Sequence, residues 1–202
     1  MKKFLAVAGN IGAGKTSLTE FLCNQYGFEP VYEPFQTNPY LDDFYKDMKA
    51  WSFHSQLYFL THKFRLHLEL NSSNGTMVMD RTIYEDAEIF ATNLYRGRFM
   101  SKRDHQTYME LYTSMQSALQ PPDLLIYLRC DTRAIRARIR QRGRPSEQAI
   151  KASYLRRLND LYEDWIARYT LSPVLVWESG SRDYLTHLVD RVEFQRAVER
   201  FL

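Results

Sequence analysis

The residues Gly9-Asn10-Ile11-Gly12-Ala13-Gly14-Lys15-Thr16 follow the spacing G-x-x-x-x-G-K-[ST]. A short apolar run, Phe4 to Ala8, precedes them and a stretch of helical periodicity begins at Lys15. Strand, loop and helix in that order are the context this motif requires. Glycines let the backbone wrap an anion without Cβ clashes, so that consecutive N–H groups point inward. The following helix N-terminus adds favourable potential for negative charge. Lys15 is positioned to reach the β- and γ-phosphates of a nucleoside triphosphate, and the Thr16 hydroxyl to hold Mg²⁺. A glycine-rich turn with a chance Lys-Thr is the bland alternative, and the strand–loop–helix setting argues against it.

A phosphate cradle serves GTPases, motor ATPases and small-molecule kinases alike, so the remaining chemistry must discriminate. Two carboxylates fall at the predicted carboxyl ends of strands, Glu33 and Asp80, where open parallel sheets gather ligands. Phosphoryl transfer to an alcohol needs a base at the attacking hydroxyl and a metal among the phosphates. Glu33 suits the first task and Asp80 the second, while Arg81 can stabilise charge developing on the transferred group. An arginine-rich stretch follows, with Arg129, Arg133, Arg136, Arg138, Arg140, Arg142 and Arg144. Arg133, Arg136 and Arg140 read as a solvated helical face. Arg138 and Arg142 share another face by i, i+4 spacing, and Arg144 lies just past Gly143. These three suit a lid that closes over phosphates and excludes water. The guanine-reading N-K-x-D of a GTPase does not occur.

The elements that must position these groups are legible from periodicity. Short apolar runs predict strands at Phe4 to Ala8, Phe28 to Tyr32, Thr76 to Met79, Leu124 to Arg129 and Val174 to Trp177. Helical spacing predicts helices over 15–26, 51–70, about 85–95, 102–119, from Asp131 to Arg142, about 149–169, and at the C-terminus. Alternation of this kind predicts an α/β fold: a parallel five-stranded P-loop NTPase-type sheet flanked by helices, with an arginine-bearing lid. No repeat, linker or low-complexity tract interrupts the 202 residues, which read as a single domain.

Bulk properties bound the function. A formal charge of +3 and 45% hydrophobic residues describe a mildly basic globular chain, with no strong case for nucleic acid as partner. Cys23 and Cys130 are far apart and lack CxxC spacing, which predicts no disulfide framework and a reducing, cytoplasmic setting. No stretch has the run of apolar residues a membrane span needs. His54, His62, His67, His105 and His187 lack metal-site spacing and read as surface or packing residues.

Taken in order, Gly9 to Thr16, Glu33-Pro34, Trp51-Ser52-Phe53 leading to Gln56, Asp80-Arg81-Thr82 leading to Asp86, and the Arg138 to Arg144 stretch resemble the deoxynucleoside kinase family. Tyr154-Leu155 through Tyr162 and Trp165 is also similar, and Asn38-Pro39-Tyr40-Leu41 resembles the bacterial purine-preferring branch. The resemblance implies that Glu33 is the base for the 5′-hydroxyl and that Arg81 contacts the 5′-oxygen and the phosphates. It implies that Tyr45 bonds the sugar 3′-hydroxyl, Gln56 reads the base edge, and Phe90 stacks on the base. Lys63 falls at a base-side position, and Asp86 accepts from an exocyclic amine or ring N–H, directly or through a partner. Arg138, Arg142 and Arg144 become the lid arginines. Ser153 stands where several members carry Glu, and Phe59 fills a position that is small in deoxycytidine kinases.

The resulting expectation is an ATP- and Mg²⁺-dependent kinase of a deoxynucleoside, with adenine the favoured base, acting in nucleotide salvage as a cytoplasmic homodimer. Two other readings stand beside it. A nucleoside monophosphate kinase of the thymidylate kinase type shares the cradle, the Asp-Arg pair and the lid, but needs further cations for its acceptor's phosphate. A non-catalytic nucleotide-binding module would bind nucleotide without turnover.

Overall fold

Phe4–Gly9 carries no charged residue and is buried at every position, so both faces of this strand are covered, as in the centre of a parallel sheet. The computed structural model describes residues 2–32, 37–148 and 150–202, with the side chains of Asn71, Ser72 and Ser146 excepted. After β1 (Phe4–Gly9) come α1 (Lys15–Tyr26), β2 (Glu29–Val31), α2 (Leu41–Lys46) and α3 (Met48–Ser72). Next are β3 (Met77–Asp80), α4 (Ile83–Glu85), a π-helical segment (Asp86–Ala91), α5 (Thr92–Arg96) and α6 (Lys102–Gln116). The chain continues with β4 (Leu124–Arg129), α7 (Thr132–Arg142), α8 (Pro145–Gln148), α9 (Ala152–Arg168), β5 (Val174–Glu178) and α10 (Leu188–Glu199).

All five strands form one parallel sheet in the order β2-β3-β1-β4-β5. This is the expected α/β architecture. The contacts group the chain into two compact units: residues 1–32, 73–81 and 121–202, which hold the sheet, and residues 33–72 and 82–120, whose described secondary-structure elements are helices. The sheet unit's core joins Leu5, Val7, Leu18, Leu22, Val78, Leu124, Ile126 and Leu128 to Ile135, Leu155, Trp177 and Phe194. Leu18 and Leu22 lie one turn apart on α1, so a single helical face supplies the contact.

The helical unit departs from expectation in its details. Leu41–Lys46 is a helix that the sequence reading did not assign. Asn38 starts it: its Oδ1 accepts from Tyr40 N (3.0 Å), while its Nδ2 donates to Ser55 Oγ on α3 (3.1 Å). The single helix expected near 85–95 is broken by the π segment, where the Thr92 hydroxyl donates to Ala87 O five residues back (3.0 Å). Periodicity does not reveal such an insertion here, because nearly every residue of the segment is buried and no apolar face stands out from a polar one. Among the described residues, no helix is long and apolar enough to cross a membrane.

Candidate functional site

The cradle is shaped first by its glycines. Gly9 has φ +152°, and a Cβ there would stand 3.0 Å from the Leu128 carbonyl oxygen on β4. Gly14 caps α1 in the left-handed region at φ +102°, and its carbonyl accepts from Leu18 N (3.0 Å). The Lys15 side chain is buried and its Nζ donates to the Asn10 carbonyl oxygen (3.1 Å). The ammonium is thus folded back onto the loop that would cradle the phosphates.

β3 runs beside β1 with Val7 opposite Asp80, which brings the Asp80 carboxylate to the start of α1. Thr16 Oγ1 donates to Asp80 Oδ2 at 2.5 Å, and Asp80 Oδ1 is buried without a hydrogen-bond partner among the described residues. A hydroxyl and a carboxylate, with one carboxylate oxygen to spare, are the hard oxygen donors that Mg²⁺ prefers, so Thr16 and Asp80 fit that ion. Arg81 follows in the left-handed region at φ +64°, a conformation that costs a non-glycine residue about 1 kcal/mol or more. Its N–H still bonds Val7 O (3.0 Å), and its buried guanidinium reaches Gly9 O (3.4 Å). The strain is held by the sheet on one side and the cradle on the other.

The three arginines expected to form a lid make different contacts. Arg138 Nη1 donates to Ala13 O (2.8 Å) in the cradle, and Nη2 donates to Ser179 O (2.5 Å) after β5. Arg142 makes two hydrogen bonds to Glu147 Oε2, at 2.5 and 3.0 Å, and Arg144 reaches Glu147 Oε1 (3.4 Å). Glu147 is buried although both arginines are partly exposed. Arg133, Arg136 and Arg140 are exposed, as a solvated face requires. A cleft of about 610 Å³ opens beside Gly12, Ala13 and Gly14, lined further by Arg138, Arg142 and the segment from Ser179 to Leu185. It is large enough for part of a nucleotide.

Of the expected acceptor-side residues, Tyr45, Gln56, Lys63, Asp86 and Phe90 all belong to the helical unit. Glu33 lies outside the described residues. Lys63 on α3 and Asp86 on the π segment form a buried ion pair (Nζ to Oδ1, 2.7 Å), with side-chain exposures of 1% and 4%. Lys63 Nζ also lies 5.8 Å from the centre of the Phe59 ring. Gln56 and Phe90 are buried, Tyr45 is half-buried, and Gln56 Oε1 has no partner among the described residues. Tyr108 on α6 is fully buried, and burial, the Asp86 charge and Tyr112 together push its phenol well above its ordinary range. The charges of Lys63 and Asp86 are thus paired with each other, and the buried Gln56 amide oxygen is available as an acceptor.

His67, one turn beyond Lys63, is held neutral: burial first and the Lys63 charge second lower its imidazole from 6.5 to about 3. The unfolded chain protonates this group near 6.5 while the folded chain does not, so folding stability falls as pH drops from there towards 3. Between pH 7 and pH 5 the expected loss from this residue is about 2 kcal/mol. Urea unfolding of wild type and His67→Gln at both values measures it. The variant should show a smaller loss, and an equal loss in both proteins would contradict the assignment.

The deoxynucleoside kinase family model matches residues 5–202. The chain belongs to the deoxynucleoside kinase family. It is 41% identical over 173 residues to a deoxyadenosine/deoxycytidine kinase of Bacillus subtilis (strain 168), covering 85% of this chain and 80% of that one. It is 37% identical over 197 residues to a deoxyguanosine kinase of Lactobacillus acidophilus, covering 93% and 85%. A solved deoxyadenosine kinase from M. mycoides, with products dCMP and a flexible dCDP bound, superposes with a TM-score of 0.86 at 28% identity, covering 98% of this chain and 99% of that one.

As a deoxynucleoside kinase the chain is a phosphotransferase to an alcohol, with a nucleotide as phosphate donor. Several groups around the kinase's cradle escaped the sequence reading. Glu147 is one; its signal is Pro145 opening a helical turn with an acid in that turn. The Ser179 to Leu185 lining is another, and nothing in its composition sets it apart. Asn159 is a third, visible only as the i+4 neighbour of Leu155 on α9.

Proposed function

We propose that this kinase transfers the γ-phosphoryl group of ATP to the 5′-hydroxyl of deoxyadenosine, as one functional domain over residues 1–202. The observation that carries the choice of base is Gln56 Oε1, a buried acceptor with no partner among the described residues. Leaving such an oxygen unpaired costs about 1–3 kcal/mol, which a donor on the substrate recovers. An exocyclic amine beside a ring nitrogen offers a bidentate match to a glutamine amide, and adenine and cytosine both present one. The B. subtilis relative's deoxyadenosine/deoxycytidine activity supports this, and the purine-type Asn38-Pro39-Tyr40-Leu41 tips it to adenine.

In this reading Glu33 accepts the proton of the 5′-hydroxyl as that oxygen bonds to the γ-phosphorus. The bond to the β-phosphate oxygen breaks, giving a deoxynucleoside 5′-monophosphate and ADP. Lys15 and the cradle N–H groups hold the β- and γ-phosphates, and Arg81 offsets charge on the transferred group. Arg138, Arg142 and Arg144 close over the donor. Tyr45 holds the 3′-hydroxyl, and Phe90 stacks on the base. Lys63 and Asp86 present a paired, neutral edge that Asp86 extends towards the amine. Thr16 and Asp80 would hold Mg²⁺, whose charge neutralises the phosphate oxygens. The enzyme works in the cytoplasm as a homodimer in nucleotide salvage.

The test replaces the substrate's amine rather than a residue. Comparing deoxyadenosine with the 2′-deoxyriboside of unsubstituted purine, we expect kcat/KM to fall about 10–100-fold, because the Gln56 oxygen loses its donor. Equal values would remove Gln56 from base recognition.

A further inference from the structure

Asn10 ties the cradle both to itself and to α9. Its Oδ1 accepts from Ile11 N (2.7 Å), and its Nδ2 donates to Leu155 O (2.9 Å) and to Asn159 Oδ1 (2.6 Å). Its carbonyl oxygen accepts from Ala13 N (3.1 Å) and from Lys15 Nζ (3.1 Å). Asn159 in turn donates through Nδ2 to Cys130 O (2.9 Å), just past the end of β4. Three turns of α9 take part, because Tyr162 donates its hydroxyl to Gly9 O (2.8 Å). Residues 155, 159 and 162 lie at i, i+4 and i+7 and so on one face of α9.

The orientation of both amides is fixed by chemistry. Leu155 O and Cys130 O can only accept, so each must face an amide nitrogen. The Ile11 N–H can only donate, so it must face Asn10 Oδ1. That leaves Asn159 Oδ1 as the acceptor for the remaining Asn10 N–H, and the network has one consistent assignment. Asn10 is 2% exposed, so water cannot substitute for a lost partner at little cost.

We propose that Asn159 is a positioning residue for the phosphate donor: it locks the Asn10 amide, and through it the Ile11 N–H that the amide oxygen holds and the Asn10 carbonyl that accepts from Lys15. Glycines permit the loop's shape, but permission is not rigidity; the tie to α9 supplies the rigidity. The lock runs outward to Cys130 O, so the cradle is registered against the end of β4 as well as the end of β1. The proposal rests on the reading of Gly9 to Thr16 as the donor cradle.

The experiment is a double-mutant cycle on Asn10→Ala and Asn159→Ala, read as KM for ATP, KM for the deoxynucleoside, and the urea midpoint. Each single variant is expected to raise the donor KM about tenfold, with the deoxynucleoside KM within about twofold of wild type. The double variant should be no worse than the worse single, since both remove the same contact. Asn159→Leu, of similar volume, keeps the test open where alanine leaves the fold too weak, and should reproduce the donor-KM effect. An unchanged donor KM in a folded Asn159 variant, or single effects that multiply in the double, would overturn the proposal. A fall in urea midpoint with both KM values unchanged would also overturn it, as a purely structural contact. Lys15→Met serves as the control for the cradle itself. If Lys15→Met abolishes turnover while Asn159→Ala leaves the donor KM unchanged, only the positioning claim fails; if Lys15→Met retains turnover, the cradle reading fails.

Discussion

Glu33→Gln is expected to lower kcat about 10²–10⁴-fold while leaving the affinity for deoxynucleoside nearly unchanged. A positioned carboxylate contributes a rate factor of that order by taking the proton of the attacking hydroxyl, and glutamine keeps its size but loses its basicity. Binding should survive because the amide can still hydrogen-bond the hydroxyl. Single-turnover kinetics against equilibrium binding separate the two quantities. Wild-type turnover in the variant would take Glu33 out of the mechanism, and a loss of binding equal to the loss of rate would make it a binding residue only.

Asp86→Asn has the largest expected effect on the fold. The pair with Lys63 is almost wholly buried, and removing one partner leaves an ammonium in an apolar site without its carboxylate. Such changes cost about 3–5 kcal/mol, whereas replacing both partners by apolar groups of similar volume is close to neutral. Asp86→Asn should therefore lower Tm by roughly 10 °C, and Lys63→Met with Asp86→Leu should recover most of that loss. Stability and recognition part company here. The double variant should keep the fold yet lose the ranking of deoxyadenosine over the other bases. An unchanged Tm and base ranking in Asp86→Asn would contradict both roles.

The sheet unit was the more legible in the sequence because its constraints are local. The glycine spacing fixes a loop, the loop fixes a helix start, and Lys15–Tyr26 is a helix over the expected span. Apolar runs such as Leu124–Arg129 announce central strands because both faces are covered. Asp80 followed at once, since it ends the strand beside β1. What stayed hidden depends on distant partners. Arg81's left-handed backbone is imposed by its bonds to Val7 and Gly9, and nothing in Asp-Arg-Thr announces it. Arg138, Arg142 and Arg144 were legible as a group. Their present partners, Ala13, Ser179 and Glu147, were not, because a guanidinium takes any acceptor within reach. The π segment that carries Asp86 and Phe90 escaped for another reason: it is buried almost all round, so no polar face marks its register. Without the family resemblance, Gln56 and Lys63 would have read as chance polar residues on a long aromatic-rich helix.

The proposed reaction is the transfer of a phosphoryl group from ATP to the 5′-hydroxyl of a deoxynucleoside, adenine first. The most direct measurement gives the purified enzyme ATP, Mg²⁺ and an equimolar mixture of the four deoxynucleosides and their 5′-monophosphates, with products identified by mass and chromatography. The expected result is that dAMP accumulates first and that none of the monophosphates is consumed. Deoxynucleoside diphosphates formed from the supplied monophosphates, with the nucleosides untouched, would contradict it and remove Glu33 from its role as base.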